Sequence, residues 1–577
     1  MLVLLPRAAP EPARGRGANA LPRLRVADAA PDALPADPGP PASRRPRRDR
    51  ALWIRLAACV AGGLLLAASF PPFDLDPLAF VALLPLLWAW RGATPRRAAL
   101  YGFVFGLAFF GVLLEWSRYF GAVAIAPLVI AEACYLAGAG ALVAGFERRG
   151  VRSPVLVAAV WVVVETLRGR WPLGGLPWGE LGVALHDYNA ARALASFGGV
   201  ALVSFVVVCF DELLLDGALA LRDRRDADRP GAERRGRPGL RAVALMLAGL
   251  LVVVVLADAL RYEPTVTGHV KFALLQGNDQ NRNLTQAEID SDYLTRKHLA
   301  LAATLHGHYD LIVFPESALE RDPTTDPELR AQLVAVGAAH GAVVLANARV
   351  RAQDGGLYNA NVAYSPNGRF QGVYAKQHLV PFGEYVPWRS ELSFIGELNQ
   401  IPYDYERGHH RRLYHAAGHP FGTVICFESA FSPLVRDYVH DGAQLIVVST
   451  NNRSYRRSGL AAQHLALSQM RAAETARPVL HASISGITGV IDADGNVHDK
   501  SRLFVNKVTT GTIATTTGET PYVRFGDWVV TLSGIGLVVI AALAALRSRR
   551  RTAGAVQSGR PIAHVDSTIA REAKPSD

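Results

Sequence analysis

Long apolar stretches alternate with short basic segments over the first 260 residues, and one further apolar stretch lies close to the end of the chain. A helix needs about 20 mostly apolar residues to cross a bilayer. By that measure we predict seven membrane-spanning helices before a long polar region and an eighth after it. The eight stretches lie near residues 52–70, 76–90, 98–116, 122–146, 154–167, 197–217, 241–260 and 528–546.

The polar region shows a different pattern, in which short apolar runs alternate with amphipathic stretches. The runs predict strands near residues 270–275, 310–314, 342–346, 359–364, 370–375, 444–449, 479–483 and 489–492. The amphipathic stretches predict helices near residues 286–306, 327–340 and 460–475. Interleaved strands and helices are typical of a layered α/β domain.

The positions of the basic residues indicate which ends of the predicted spans face the cytoplasm. The chain carries a net charge of +11, which alone would be compatible with nucleic-acid binding. The arginines, however, gather in the N-terminal tail and after the second, fourth, sixth and eighth spans, as in Arg222–Arg241 and Arg547–Arg551. Cytoplasmic loops carry such an excess of arginine and lysine. We therefore expect a membrane protein with an extracytoplasmic polar domain and no nucleic-acid partner.

These patterns predict five regions. They are a disordered basic cytoplasmic tail (1–50), seven transmembrane helices (51–262), a catalytic α/β domain (263–527), an eighth transmembrane helix (528–547) and a cytoplasmic tail (548–577).

Cys426 is the only one of the four cysteines outside the apolar spans. An apolar run ends in Val424 and Ile425 directly before it, which predicts a buried strand, then a turn, then a helix opening near Pro433. A thiol at such a turn is well placed to be a nucleophile, since backbone N–H groups there can stabilise negative charge. The alternative is an inert buried cysteine.

Two further candidates end predicted strands. Glu316 follows an apolar strand and Pro315, and it is a candidate general base, although it could equally cap the next helix. Lys376 could stabilise an oxyanion and lower the pKa of a neighbouring thiol, although a lysine on a loop is usually solvated. Catalytic groups collect at strand ends of α/β domains.

The segments around these residues resemble the glutamate, lysine and cysteine motifs of the nitrilase superfamily. Together with the spans, the chain is similar to the apolipoprotein N-acyltransferases over about residues 52–546. The motifs are Phe314-Pro-Glu316, Lys376-Gln-His-Leu-Val-Pro-Phe-Gly-Glu384 and Ile425-Cys-Phe-Glu428, with Phe70-Pro-Pro-Phe73, Gln276-Gly-Asn278 and Thr520–Asp527 at the domain edges.

The resemblance implies an αββα sandwich for the polar domain and a cysteine-based acyl transfer. We expect no metal, because the histidines lack cysteine or acidic partners at ligand spacing, and no cofactor. Glu316 would take the proton of Cys426, and the thiolate would accept an acyl chain from a phospholipid as a thioester. The amine of a diacylglyceryl-modified N-terminal cysteine on an apolipoprotein would then take the acyl chain. Lys376 and backbone N–H groups near Phe427 would hold the oxyanion, and Glu384 and Glu428 would be supporting acids.

The chain departs from this family pattern in two places. Phe427 stands where a tyrosine is usual, and segment 450–458 lacks the usual tryptophan and carries three arginines instead. The departures put lipid or acceptor specificity in doubt. We expect Tyr455 in this segment, Tyr385 and Trp178 to face substrate, although Trp178 lies in a Trp-, Pro- and Gly-rich outward loop that could simply anchor at the membrane surface.

Two other functions are compatible with the residues. A membrane-anchored amidase or nitrile hydrolase would use the same three residues and resolve its acyl-enzyme with water. An inactive lipid-binding scaffold would need none of them. The number of spans argues against the first, and the intact Glu316, Lys376 and Cys426 argue against the second.

Overall fold

The computed structural model describes residues 45–226, 239–279, 291–352, 355–396 and 403–557, with the single positions 285, 287, 288, 398 and 401. The predicted N-terminal tail, residues 1–50, lies almost wholly outside the described residues. The last 20 residues of the predicted C-terminal tail, 558–577, lie outside them as well.

Apolar helices make up the first part of the chain. They are α1 (Arg45–Ala68), α2 (Leu84–Trp90), α3 (Pro95–Leu113), α4 (Ala122–Arg148), α5 (Pro154–Arg168), α6 (Asn189–Asp226) and α7 (Leu240–Ala259). The second predicted span is a short 3₁₀ turn, Asp76–Phe80, followed by the 7-residue α2. The fifth is the 15-residue α5, most of whose side chains are buried. With the last helix of the chain, six helices of the described part are long and apolar enough to cross a membrane.

Helices α3 and α4 pack closely because small residues lie at their contact. A Cβ on Gly102 would come within 2.1 Å of the carbonyl oxygen of Leu136, and one on Gly106 within 2.7 Å of the Cα of Ala133. Small residues spaced by four let helix backbones approach where no hydrophobic effect drives them together in lipid.

The arginine-rich ends of the helices meet at one end of the bundle. Arg91, after α2, pairs with Glu212 of α6 at 2.6 Å, and Arg152, before α5, pairs with the same carboxylate at 2.8 Å. Arg152 also pairs with Glu147 of α4 at 2.9 Å. The basic connections that the sequence places on one side of the membrane are therefore neighbours in space.

The polar region folds into two six-stranded sheets with helices outside them. The strands are β1 (Thr265–Gln276), β2 (Leu311–Phe314), β3 (Val343–Arg351), β4 (Leu357–Tyr364), β5 (Phe370–Ala375), β6 (Tyr414–Ala416), β7 (His419–Ile425), β8 (Leu445–Thr450), β9 (Val479–Ser483), β10 (Gly489–Ile491), β11 (Val497–Lys500) and β12 (Lys507–Thr517). The helices are α8 (Tyr293–Ala302), α9 (Pro327–His340), α10 (Ser432–His440), α11 (Leu460–Thr475) and α12 (Pro521–Phe525), and α13 (Trp528–Gln557) follows the domain.

The strand order is β12-β1-β2-β3-β4-β5 in one sheet and β11-β10-β9-β8-β7-β6 in the other. Both faces of the first sheet are buried. Leu311 and Val313 of β2 belong to the same apolar cluster as Val447 of β8, whereas Ile312 and Phe314 belong to a second cluster with Leu329 of α9. Successive side chains of a strand point to opposite faces. One face thus packs on the other sheet and one on the helices, which confirms the predicted layered α/β domain next to apolar helices.

Most predicted elements are present, with altered bounds. Helix α8 begins at Tyr293, whereas the predicted helix began at residue 286. Residue 286 lies outside the described residues. Strands β6, β11 and β12 were not among the predicted elements. The 11-residue β12 pairs antiparallel with β1 along its whole length and is an edge strand of its sheet.

Candidate active site

Three strand ends from the two sheets converge on one point. Glu316 follows β2 after Pro315, Lys376 directly follows β5, and Cys426 directly follows β7. Cys426 has a φ of +51°, in the left-handed region that non-glycine residues rarely adopt, and it begins a short 3₁₀ turn, Cys426–Ala430. Backbone outliers of this kind cluster at functional sites.

The Glu316 carboxylate is held by two hydrogen bonds. Its Oε1 accepts from Asn359 Nδ2 at 2.8 Å, and its Oε2 accepts from the backbone N–H of Asn451 at 2.7 Å. Burial and the carboxylate of Glu384 raise the pKa of Glu316, against the opposing effects of Lys376 and of a hydrogen bond with Cys426. A carboxylate with a raised pKa beside a thiol is suited to accept its proton.

Lys376 is a buried cation between two carboxylates. Its side chain is 1% exposed, and Nζ lies 2.9 Å from Glu384 Oε1 and 3.5 Å from Glu316 Oε1. Burial lowers the pKa of Lys376, but Glu384 and Glu316 outweigh it, so the pKa is raised well above 10.5 and the side chain stays charged. Glu384 also accepts from Asn359 Nδ2 and from the backbone N–H of Val380, both at 2.8 Å.

The Cys426 thiol is protonated at neutral pH. Burial and the charge of Glu316 raise its pKa to about 12, although Lys376 lowers it. Its Sγ lies 3.9 Å from the carbonyl oxygen of Asn451. Because the thiolate is the nucleophilic form, this thiol needs a neighbouring base to become reactive. The structure thus brings together the predicted acid, cation and thiol.

Glu428, one of the expected supporting acids, accepts hydrogen bonds from the backbone directly after Lys376, and its charge also raises the pKa of Lys376. Its carboxylate is fully buried and accepts four hydrogen bonds, from the Tyr374 hydroxyl and the backbone N–H groups of Ile425, Gln377 and His378, at 2.6 to 3.0 Å. Burial raises the pKa of Glu428 to about 7. The residue ties the loop after β5 to the end of β7, and so fixes the lysine strand relative to the cysteine strand.

His464 is a site residue that the sequence analysis did not identify. Its Nε2 lies 2.9 Å from the carbonyl oxygen of Cys426 and 2.8 Å from Ser429 Oγ. Burial lowers the pKa of His464 to about 4, so the ring is neutral and positions the turn rather than carrying charge. The available signal was a Gln463-His464 pair in an otherwise mostly apolar helix.

Gln463 joins the catalytic domain to four residues of the membrane region. Its Oε1 accepts from the indole N–H groups of Trp178 at 2.7 Å and Trp116 at 3.2 Å. Its Nε2 donates to the carbonyl oxygens of Pro71 at 2.9 Å and Leu113 at 3.2 Å. All these partners lie at the end of the helix bundle opposite the basic connections.

Aromatic rings from both parts of the chain form a wall beside the nucleophile. The ring of Tyr455 packs edge-on against Trp116 at 5.2 Å and Phe120 at 5.4 Å, and Trp116 packs against Trp178 at 5.8 Å. Trp178 is 4% exposed, so it is packed into the protein rather than lying free at a membrane surface. Burial raises the pKa of the Tyr455 hydroxyl, and the nearby charge of Lys376 opposes that rise, which places Tyr455 close to the reacting groups.

Two other predicted residues make different contacts. The Tyr385 hydroxyl accepts from Arg407 Nη2 at 3.3 Å, and the same guanidinium lies 5.6 Å from the ring centre. Phe427 is half-buried, and its ring packs edge-on against Phe431 at 5.0 Å. In the described part of the chain, no group of three or more histidine, cysteine, aspartate or glutamate side chains is placed to hold a metal ion.

The geometry agrees with comparisons to known proteins. Residues 273–522 match the family model described as carbon-nitrogen hydrolase, which gives the class of the two-sheet domain and its strand-end residues. Residues 62–212 match the family model of the apolipoprotein N-acyltransferase N-terminal domain.

Whole-length relatives then define the family. The chain is 33% identical to the apolipoprotein N-acyltransferase of Methylococcus capsulatus, over 86% of this chain and 97% of that protein. It is 32% identical to that of Nitrosomonas europaea, over 87% and 99%, and 30% identical to that of Geobacter metallireducens, over 86% and 96%. The chain belongs to the apolipoprotein N-acyltransferase family, and it is an N-acyltransferase of the nitrilase superfamily with apolar helices suited to a membrane.

Proposed function

We propose that this enzyme transfers an acyl chain from a phospholipid, through a thioester on Cys426, to the α-amine of a diacylglyceryl-modified N-terminal cysteine of an apolipoprotein. The observation that carries the proposal is the contact of a buried carboxylate, ammonium and thiol at the ends of β2, β5 and β7. The names of the relatives supply the acceptor class.

The first half of the reaction consumes the donor lipid. Glu316 takes the thiol proton as Sγ attacks the ester carbonyl carbon, and the resulting oxyanion is stabilised by the Lys376 ammonium and by backbone N–H groups of the turn. The ester C–O bond then breaks. Glu316 returns the proton to the leaving oxygen, so a lysophospholipid departs and the acyl chain stays on Cys426.

The second half consumes the acceptor. The neutral α-amine attacks the thioester carbonyl carbon, Glu316 takes a proton from the nitrogen, and the C–S bond breaks. The thiolate receives that proton, which regenerates the Cys426 thiol and releases the N-acylated lipoprotein. Covalent capture lets two bulky lipids use the site in turn rather than together.

The side of the membrane forms part of the proposal. The catalytic domain contacts one end of the helix bundle, through Gln463. The arginine-rich connections lie at the opposite end, where Arg91 pairs with Glu212. If the arginine-rich end is cytoplasmic, as the charge bias favours, the chemistry takes place at the outer face of the cell membrane.

Intact-protein mass spectrometry after incubation with phospholipid tests the first half-reaction. An added mass equal to one acyl chain, absent from Cys426→Ala, is expected. Adding a diacylated lipopeptide should remove the adduct and give a triacylated peptide. Free fatty acid as the only product, with no triacylated peptide, would instead indicate a hydrolase, and the absence of any adduct or turnover would indicate an inactive scaffold.

A further inference from the structure

The turn that faces the nucleophile carries a concentration of positive charge. Segment 450–458 begins at the last residue of β8. Its Asn451 contacts both Glu316, through its N–H at 2.7 Å, and Cys426 Sγ, through its carbonyl oxygen at 3.9 Å. Arg453, Arg456 and Arg457 follow within six residues of Asn451. No step of the proposed mechanism uses them.

The three arginines differ in their partners. Arg453 Nε pairs with Asp279 Oδ2 at 3.1 Å. Arg456 and Arg457 are exposed, and among the residues that the structure describes neither forms an ion pair with a carboxylate. Their guanidinium groups lie instead over aromatic rings, Arg456 at 5.0 Å from the centre of Tyr119 and Arg457 at 5.4 Å from that of Phe504. Such contacts orient a cation without neutralising it.

The location of Arg456 relates it to the membrane. Tyr119 belongs to the 3₁₀ segment Glu115–Phe120, directly after α3, at the end of the bundle that contacts the catalytic domain. The same segment contributes Trp116 and Phe120, which pack against Tyr455. Aromatic rings and arginine side chains at a helix end are typical of the level of lipid headgroups.

We propose that Arg456 and Arg457 bind the phosphate of the acyl donor and give this enzyme a preference for anionic over zwitterionic phospholipids. The proposal rests on the proposed function, and of the two substrates named there only the donor carries a phosphate. One guanidinium group can bind two phosphate oxygens at once through parallel N–H groups, a geometry that the ammonium of lysine does not offer. A headgroup of net negative charge is attracted by both arginines, whereas the ammonium of a zwitterionic headgroup is repelled.

The test measures the rate at which Cys426 becomes acylated, by intact mass, in micelles of a neutral detergent. The donors are phosphatidylglycerol and phosphatidylethanolamine with identical acyl chains. We expect the unmodified enzyme to react several-fold faster with phosphatidylglycerol. The double variant Arg456→Gln/Arg457→Gln should lose about tenfold in rate with phosphatidylglycerol, since each arginine near an anionic lipid contributes about fivefold at most. Its loss with phosphatidylethanolamine should be smaller, because the variant loses the bond to the phosphate but also the repulsion of the ammonium.

Two control variants separate charge at this turn from charge elsewhere. Arg456→Lys/Arg457→Lys keeps the charges but loses the paired geometry, and it should retain part of the preference. Arg524→Gln removes an exposed arginine of α12, beside the last apolar helix, and should leave both rates unchanged. An equal loss with Arg524→Gln would overturn the proposal, because it would indicate a general effect of surface charge.

An ether-linked phosphatidylglycerol, which has no ester to donate, distinguishes a donor site from attraction to the micelle surface. Added to phosphatidylethanolamine, it should slow acylation of the unmodified enzyme by competing for the arginines. Faster acylation would overturn the proposal in favour of surface attraction. Equal rates with both ester donors would also overturn it while leaving the proposed function intact, whereas no adduct with any phospholipid would overturn the proposed function itself.

Discussion

Two groups of residues line the site around Cys426, and we call them its two walls. The first consists of Glu316, Lys376 and Glu428, and the second of the Tyr455 ring with Arg456 and Arg457. The walls differ in how many of their polar groups are hydrogen-bonded. On one wall, Glu316 accepts two hydrogen bonds and Glu428 four, and Lys376 lies between two carboxylates. On the other, the Tyr455 side chain forms ring contacts and no hydrogen bond with the described residues, and Arg456 and Arg457 are exposed.

The difference suggests that the two walls have different roles in the reaction. Buried polar groups are costly unless they are fully bonded, and when they are fully bonded they hold one geometry. The first wall can therefore keep reacting groups at fixed distances. The second wall can adapt to lipids of differing shape, since its rings and exposed guanidinium groups have few directional bonds to break. Changes on the first wall should then stop the chemistry, and changes on the second should alter which substrate is used.

The largest effect is expected for Cys426→Ala. Without the sulfur no acyl-enzyme can form, so acyl transfer should fall below detection. The side chain is 9% exposed and small, so the thermal unfolding midpoint in detergent should change little. Measurable transfer by a clean preparation of this variant would contradict the assignment of the nucleophile.

Lys376→Met should come next, because among the described residues it removes the only cation in direct contact with Glu316. We expect a loss of about 10²–10³-fold in the rate of Cys426 acylation, as for other lost oxyanion donors. The pKa of Glu316 should also rise further, since Lys376 now opposes its increase. Glu316 works as a base only when ionised, so the acid limb of the rate profile should move to higher pH. An unmoved limb would show that Glu316 is not the base.

Local secondary structure was largely predictable from the sequence, but the contacts between segments that are distant in the chain were not. Helix α9 was predicted with its observed bounds because Asp326 caps it, Pro327 opens it, and Gly341, at a φ of +68°, ends it. Strand β12 was missed because its threonine-rich sequence lacks an apolar alternation, and its partner β1 lies more than 200 residues away in the chain.

The site shows the same limit. Glu316 and Lys376 lie on one sheet and Cys426 on the other, so their contact depends on how the sheets pack. The residues that hold them, Asn359 and Asn451, carry no distinctive local pattern. Glu428 was expected to be a supporting acid from its motif, but the way it supports the site, as a brace between two loops with four hydrogen bonds, depends on the packing of the two sheets.

Glu428→Gln tests that brace. The amide nitrogen cannot accept the hydrogen bonds that the carboxylate accepts, so at least one backbone N–H becomes buried and unpaired. A cost of about 2 kcal/mol is expected, seen as a thermal midpoint several degrees lower, together with slower acylation. The acidic group has a raised pKa of about 7, so its contribution to stability falls as pH rises from about 4.5 to 7. The variant should lack that part of the pH dependence.

Gln463→Leu removes the hydrogen bonds that join α11 of the catalytic domain to the membrane region. The change leaves the indole N–H groups of Trp116 and Trp178 and the carbonyl oxygens of Pro71 and Leu113 without their partner. We expect acyl transfer to fall about tenfold, with a change in tryptophan fluorescence and no change in the pH profile. Gln469→Leu, six residues along the same helix, is the matched control, because it loses contacts with Asp187 and Gly495 instead. A similar loss in both variants would indicate general damage to α11.

Tyr455→Phe should have the smallest effect, because it keeps the ring that packs on Trp116 and Phe120 and removes only the hydroxyl. A change of less than twofold in acylation rate is expected, whereas Tyr455→Ala, which opens the wall, should lose about tenfold, in proportion to the apolar contact removed. The pair separates packing from hydrogen bonding. If Tyr455→Phe were as slow as Tyr455→Ala, the hydroxyl would have to bind substrate directly, and the second wall would be as directional as the first.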